Sequence, residues 1–460
     1  MKKNNVLLLF CFLLLSTVVK ANIVLPSFFS DNMVLQRNTD VKLWGWGSPF
    51  EDIVIKTGWD NKEYKLKPTR QAYWELIVKT PGAGGPYTIN FKGYNEVVLS
   101  NVMIGEVWFC SGQSNMEWSA NMKIDNAEAE KAKANYPNIR FFTAPKLASP
   151  YPQMNFPGKW EVCTPETMGN FSAVGYFFAQ HLQEDLKNVP IGIINSSWGG
   201  SPAEPWIPEA FINEDPVLGK AAADLTPVGW SPSEPGRIYN AMIQPFVGYR
   251  IAGVLWYQGE SNVGSHTYDK TLAGLIKSWR GVWGSEFPFY FVQIAPYNYE
   301  GSMDLGVVIR DSQRRVLNTT ENTGMVVVSD ISPTDDIHPR NKKDVGIRLA
   351  NLALSDHYGI NKGVVNGPLY KSLKADKNRL IVYFDNAEGL KFKGKTSALF
   401  EVAGDDGVFH KADAKIEKNT IVLKSKDVKK PVKARYAWLN TAQANLFNGA
   451  RLPASSFTTE

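Results

Sequence analysis

Between residues 103 and 328 the chain alternates two rhythms, and this alternation limits the possible folds more than any other feature. Runs rich in β-branched and aromatic residues recur at 103–110, 138–142, 191–195, 251–257, 289–293 and 325–328. Helix-like stretches near 122–134, 171–187, 268–280 and 306–318 lie between them, and a further one covers 344–354. A strand followed by a helical crossover pairs in parallel with the next strand, because a parallel neighbour needs a connection of about a dozen residues or more. A parallel sheet in turn needs cover on both faces. The pattern predicts an α/β unit over residues 101–361.

The flanks read differently. Residues 22–100 carry short runs at 40–46, 53–57, 73–78 and 87–91, separated by turn clusters such as Pro81-Gly82-Ala83-Gly84-Gly85-Pro86. Short strands at this spacing predict an N-terminal β-sandwich domain. Over 362–460 the helical rhythm stops, and strand-like runs at 380–384, 398–402, 420–423 and 434–438 predict a smaller C-terminal β domain. Two stretches, 145–158 and 201–237, are rich in Pro, Ser and Gly and too long for plain connectors, so they are expected to build a pocket rim.

Residues 1–21 read as a signal peptide: Lys2 and Lys3, an apolar run over 6–15, and small residues before a cut after Ala21. The apolar run is too short to span a bilayer comfortably, and the expected location is periplasmic or extracellular. The formal charge of +5 includes Lys2, Lys3 and Lys20; without them it is +2, which implies no nucleic-acid-binding patch. Beyond Cys11 there remain Cys110 and Cys163, which in an exported chain form either one disulfide or two buried thiols. No zinc-like spacing of Cys and His occurs, so neither metal nor cofactor is expected.

In a parallel sheet the strand ends that carry function converge on one edge. Four loops follow strands here and carry unusual residues. The first is Ser111-Gly112-Gln113-Ser114-Asn115-Met116, and the second is Asn195-Ser196-Ser197-Trp198-Gly199-Gly200. The third is Trp256-Tyr257-Gln258-Gly259-Glu260-Ser261-Asn262, and the fourth contains Asp335-Asp336-Ile337-His338-Pro339-Arg340. Taken singly each is ordinary: serines cap helices, glycines make turns, and Asp335 or Asp336 could cap the following helix. Together they supply what acyl transfer needs. Ser114 is the candidate nucleophile, His338 the base, and Asp335, three residues before it, the orienting acid. The oxyanion needs donors, which the backbone N–H groups of Ser114 and Gly199 and the amide of Gln258 or Asn262 could provide. A carboxylate beside His338 is expected to raise its pKa modestly.

These blocks resemble the SGNH-hydrolase superfamily and, within it, the sialate O-acetylesterase-like carbohydrate acetylesterases. The similarity extends to Phe29-Ser30-Asp31-Asn32-Met33-Val34-Leu35-Gln36-Arg37 and to residues 434–453, and so covers nearly all of the chain after residue 21. The resemblance implies a flavodoxin-like three-layer α/β/α hydrolase domain flanked by the two β domains, a serine esterase mechanism on Ser114, His338 and Asp335, and an acetylated carbohydrate substrate. The third block departs from the commonest superfamily form, which leaves the side-chain oxyanion donor between Gln258 and Asn262, with Gln258 favoured and Glu260 expected to hold the loop. Acetylated sialic acid carries a carboxylate, for which Arg237, Arg310, Arg314 and Arg340 are candidate partners. Trp118, Trp198, Trp206 and Trp230 flank the loops and are candidates to bind sugar. Other acetylated glycans such as acetylxylan are the alternative substrates; a non-catalytic carbohydrate-binding protein would need no triad.

Overall fold

The computed structural model describes residues 22–460; the leader read at 1–21 lies outside them. A seven-strand sheet forms the centre. In chain order its strands are β1 (Glu96–Gly112), β2 (Tyr136–Thr143), β3 (Trp160–Cys163), β4 (Ile191–Ser197), β5 (Gly253–Tyr257), β6 (Phe289–Val292) and β7 (Thr323–Val326). They lie in the order β7-β6-β5-β1-β4-β2-β3. All neighbours pair in parallel except β3, which runs antiparallel along the edge of β2. Four long helices pack with the sheet: α1 (Ala173–Asp185), α2 (Tyr268–Trp283), α3 (Leu305–Thr319) and α4 (Lys342–Asp356).

Successive side chains of β1 enter different cores, as strand periodicity requires. Val107 and Phe109 belong to a cluster with Trp256, Trp279 and Phe289. Trp108 and Cys110 belong to another with Phe178, Leu349 and Tyr290. Burial on both faces explains why these strands read as unbroken apolar runs.

β1 also joins the flanking N-terminal strands to the centre. Its first half pairs antiparallel with Gly84–Lys92, and Met103–Gly105 pairs with Val34–Gln36. Its second half, from Glu106 to Gly112, pairs with β4. The strand therefore runs without a break through residue 100. Facing it, Asp40–Trp46 pairs with Tyr73–Lys79, and Trp74 from that pair meets Phe91 at 5.8 Å between ring centroids. Beyond α4 the chain forms two four-stranded antiparallel sheets around Leu380, Val382, Phe400, Ile421, Tyr436 and Phe457.

Cys110 and Cys163 are free, buried thiols, and burial raises both their pKa values. No helix among the described residues is long and apolar enough to cross a membrane.

Candidate active site

The ends of β1, β4 and β5 are in register: Gly112 pairs with Ser197 on one side and Tyr257 on the other. The first three loops therefore leave the sheet at one level. Gly112 makes the turn possible. Its φ is +134°, and a Cβ there would stand 2.2 Å from the Tyr257 carbonyl oxygen, so only glycine fits. The Gln113 side chain locks the first loop to the third by accepting from the N–H groups of Gly259 (3.3 Å) and Ser261 (3.2 Å). Ser114 then opens a short helix, Ser114–Glu117, with its side chain half-buried. Ser111 is fully buried behind it.

The Ser114 Oγ lies 2.8 Å from His338 Nε2, across 224 residues of sequence. The Trp118 indole stacks on the imidazole, with centroids 4.2 Å apart and planes 16° from parallel, which fixes the ring's orientation. Pro339, buried, follows at once and restricts the backbone. Asp335 is exposed, and among the described residues no hydrogen bond joins its carboxylate to the His338 ring. The acid that touches His338 is Asp336, which accepts from the His338 backbone N–H at 2.9 Å.

The expected rise in the His338 pKa is reversed. Burial lowers it first, and the Lys342 ammonium lowers it further, while Asp336 opposes both. Desolvation and a neighbouring cation both disfavour imidazolium.

Sequence reasoning missed a buried polar chain beside this pair. Asn115 Nδ2 donates to the Ile337 carbonyl at 3.0 Å and to Glu260 Oε1 at 2.5 Å. Lys342 Nζ donates to Asn115 Oδ1 at 2.5 Å. All three side chains are buried. Asn115 was legible only as the neighbour of Ser114, and Lys342, just before the helix read over 344–354, belongs to no motif. The expectation that Glu260 holds the third loop in place agrees with this geometry.

The oxyanion donors divide. Gln258 does not reach the cavity: it is fully buried, its Nε2 donates to Asn262 Oδ1 at 2.7 Å, and its Oε1 accepts from Tyr268 at 2.7 Å. The preference for Gln258 is therefore corrected, because the amide is consumed by the core. Asn262 borders the cavity, but its Nδ2 donates to both oxygens of the buried Glu204, at 3.0 and 2.9 Å. Gly199 stands against Ser114: a Cβ on it would be 3.3 Å from the Ser114 Cβ. Its N–H donates to Glu117 Oε2 at 2.8 Å, and Glu117 Oε1 pairs with Lys146 at 2.6 Å.

Ser114 and His338 open into a cavity of about 1130 Å³. Both stretches expected to form a rim reach the cavity, but 201–237 is not a plain loop: it folds partly into the helices Glu209–Glu214 and Pro216–Ala223, contributing Lys220 from the second helix and Trp230 beyond it, while 145–158 contributes Lys146. Trp230 is 67% exposed. Trp198 does not line the cavity; it is half-buried and donates through Nε1 to the Trp230 carbonyl at 2.9 Å, so it supports the rim from behind. Trp206 is core. Arg310 is a second correction. It is fully buried and its guanidinium donates to the carbonyls of Asn440 (3.1 Å) and Leu439 (2.5 Å), so it ties α3 to the C-terminal segment and cannot meet substrate. Arg314 pairs with Asp311 at 2.7 Å, and Arg237 lies outside the cavity lining. The sequence candidates were chosen for charge alone, and charge does not report burial.

A hydroxyl held on an imidazole at the mouth of a cavity is an arrangement for acyl transfer, and the comparisons with known proteins agree with it. The family model for carbohydrate esterases described as sialic acid-specific acetylesterases matches residues 104–355. Human sialate O-acetylesterase is 29% identical over 416 residues, covering 82% of this chain and 79% of the human protein. The rat sialate O-acetylesterase is 27% identical over 454 residues, covering 82% of this chain and 81% of its own length. Among solved structures, a carbohydrate acetylesterase from Xanthomonas citri superposes with a TM-score of 0.87 at 34% identity, over 95% of this chain and all of that one. With the family model spanning more than half of its length, this chain belongs to the sialic acid-specific acetylesterase family of carbohydrate esterases and is a carboxylic ester hydrolase.

Proposed function

We propose that the chain is an exported serine esterase that removes O-acetyl groups from carbohydrates, with O-acetylated sialic acids as substrate. The observation that carries this reading is the 2.8 Å contact between Ser114 Oγ and His338 Nε2 at the cavity. His338, neutral because burial and Lys342 disfavour its charge, accepts the Ser114 proton as Oγ attacks the acetyl carbonyl. The oxyanion is received by the backbone N–H groups of Ser114 and Gly199, the latter after Glu117 withdraws. The imidazolium returns the proton to the departing sugar hydroxyl. Water, deprotonated by the same ring, then attacks the acetyl-enzyme; as the C–Oγ bond breaks, His338 returns that proton to Ser114 Oγ and acetate leaves. Asp335 is assigned as the orienting acid by its three-residue spacing alone.

In this reading residues 101–361 form a flavodoxin-like three-layer hydrolase domain, 22–100 and 362–460 are accessory β domains, and residues 1–21 direct export. Support for a carboxylate-bearing sugar comes from Lys146 and Lys220 around the cavity, which would exchange their present partners Glu117 (2.6 Å) and Asp224 (2.8 Å) for the substrate carboxylate, with Trp230 as a surface for the sugar ring. The test is acetate release from acetylated sialic acids and acetyl-xylooligosaccharides by wild type and Ser114→Ala. Turnover of the sialic acids and its loss in the variant by several orders of magnitude are expected. A fluorophosphonate probe should label wild type alone. Labelling at Ser111, or turnover of the xylan fragments only, would refute the corresponding part of the reading.

A further inference from the structure

Two loops that are far apart in sequence must stay aligned for Ser114 to meet His338, and a single side chain joins them. Asn115, next to the nucleophile, donates to the carbonyl of Ile337, next to the base, at 3.0 Å. Asn115 is itself held from both sides, by Glu260 Oε1 at 2.5 Å and by Lys342 Nζ at 2.5 Å. Lys342 is 1% exposed, and its ammonium also lies 5.5 Å above the Tyr257 ring. A buried ammonium is costly unless paired and hydrogen-bonded. Here it sits four residues after the base and bonds the neighbour of the nucleophile, whereas a leucine or methionine would fill the same space without the desolvation cost.

We propose that Lys342 is a positioning residue for the esterase reaction: its ammonium fixes Asn115, and through it the Ser114 and His338 loops. Its charge also disfavours imidazolium at His338. This rests on the Ser114–His338 reading of the site. The charged or titratable groups around Lys342 are Glu260 from the third loop and Asp336 and His338 from the fourth. Around His338 they are Lys342 and Asp336, with Ser114 and the Trp118 ring in contact. Tyr257 and Tyr299 also face Glu260. Glu260 is the carboxyl group beside it: burial raises its pKa, opposed by its own backbone N–H, by the Asn115 amide and, least, by the Lys342 ammonium, and its Oε2 has no hydrogen-bond partner among the described residues. Burial lowers the pKa of Lys342 itself to about 7, against the pull of Glu260 and Asp336. The positive charge is therefore strongest on the acidic side of neutrality, where His338 most needs protection from protonation.

The test compares Lys342→Met, which removes the charge and the donor, with Lys342→Gln, which removes the charge but keeps a donor for Asn115. Both are measured beside Ser114→Ala as full pH profiles of kcat and kcat/KM. In both lysine variants the acid limb of kcat/KM is expected to move up by about half a pH unit or more. In Lys342→Met, kcat should also fall by about tenfold with KM nearly unchanged, and Lys342→Gln should recover part of that loss. Folded variants with the wild-type limb and wild-type kcat would overturn the proposal. Should neither variant fold, wild type decides, because an acid limb at or above ~6.5 overturns it. Activity surviving in Ser114→Ala would instead refute the serine esterase reading, a result distinct from failure of the Lys342 role.

Discussion

The backbone N–H of Gly199 donates to the Glu117 carboxylate at 2.8 Å, beside the Ser114 side chain. A carboxylate oxygen thus occupies the donor that a tetrahedral oxyanion would use, and Lys146 holds its other oxygen. If the oxyanion is to form there, the carboxylate must leave, since two negative oxygens repel each other at such a distance. Glu117→Gln weakens this competing bond by removing its charge. The expected outcome is kcat retained or raised by up to about threefold. Steady-state kinetics checks it; a fall of more than about tenfold would mean that Glu117 serves to orient the Gly199 loop.

The base should work on the acid side of a free imidazole. His338 must be neutral to accept the Ser114 proton, and its pKa is lowered by burial and by Lys342. A lower pKa keeps the ring neutral at lower pH. The acid limb of kcat/KM is therefore expected below ~6.5, the value for an unperturbed histidine. A limb above 7 would show that a carboxylate dominates the ring.

Asp335 and Asp336 compete for the role of orienting acid. The three-residue spacing favours Asp335, whereas Asp336 is the residue bonded to the His338 backbone. If Asp335 is the orienting acid, Asp335→Asn is expected to lower the kcat plateau by about two to four orders of magnitude and shift the acid limb downward, because the imidazolium formed in the reaction would lose that carboxylate. Asp336→Asn removes an acceptor of one backbone N–H and should cost about tenfold or less. If the second change is the severe one, the triad is out of register by one residue.

Arg310 should matter for folding and not for substrate. Arg310→Met leaves the buried Asn440 carbonyl and the partly buried Leu439 carbonyl without their donor. A loss of about 2–4 kcal/mol of stability is expected, seen as a lower Tm, with KM unchanged in the folded enzyme. A normal Tm with a raised KM would return Arg310 to the binding site.

Trp230 is expected to act in binding. Trp230→Ala should raise KM for acetylated sugars by about tenfold or less while leaving kcat nearly intact, since an aromatic face against a sugar contributes about 1 kcal/mol. A small acetyl ester without a sugar ring is the control, and its KM should not move.

The strand and helix rhythm of residues 103–354 was determined by the sequence itself, because strands buried on both faces must be apolar throughout and their crossovers must be amphipathic. So were the four loops, because turns at strand ends need small and polar residues, and Gly112 is irreplaceable in its conformation. The short Val34–Gln36 strand carried no such pattern, since three residues show no period. Only the tertiary structure decided which polar side chains face the cavity. Gln258 and Arg310 carry the right chemistry but are consumed by the core, whereas Lys342, which belongs to no motif in the sequence, is buried and bonded to the neighbour of Ser114. The physical reason is that side-chain chemistry is local, while burial and hydrogen-bond partners are set by contacts across hundreds of residues. Ser114 and His338, 224 positions apart, meet only because parallel strands end at one edge.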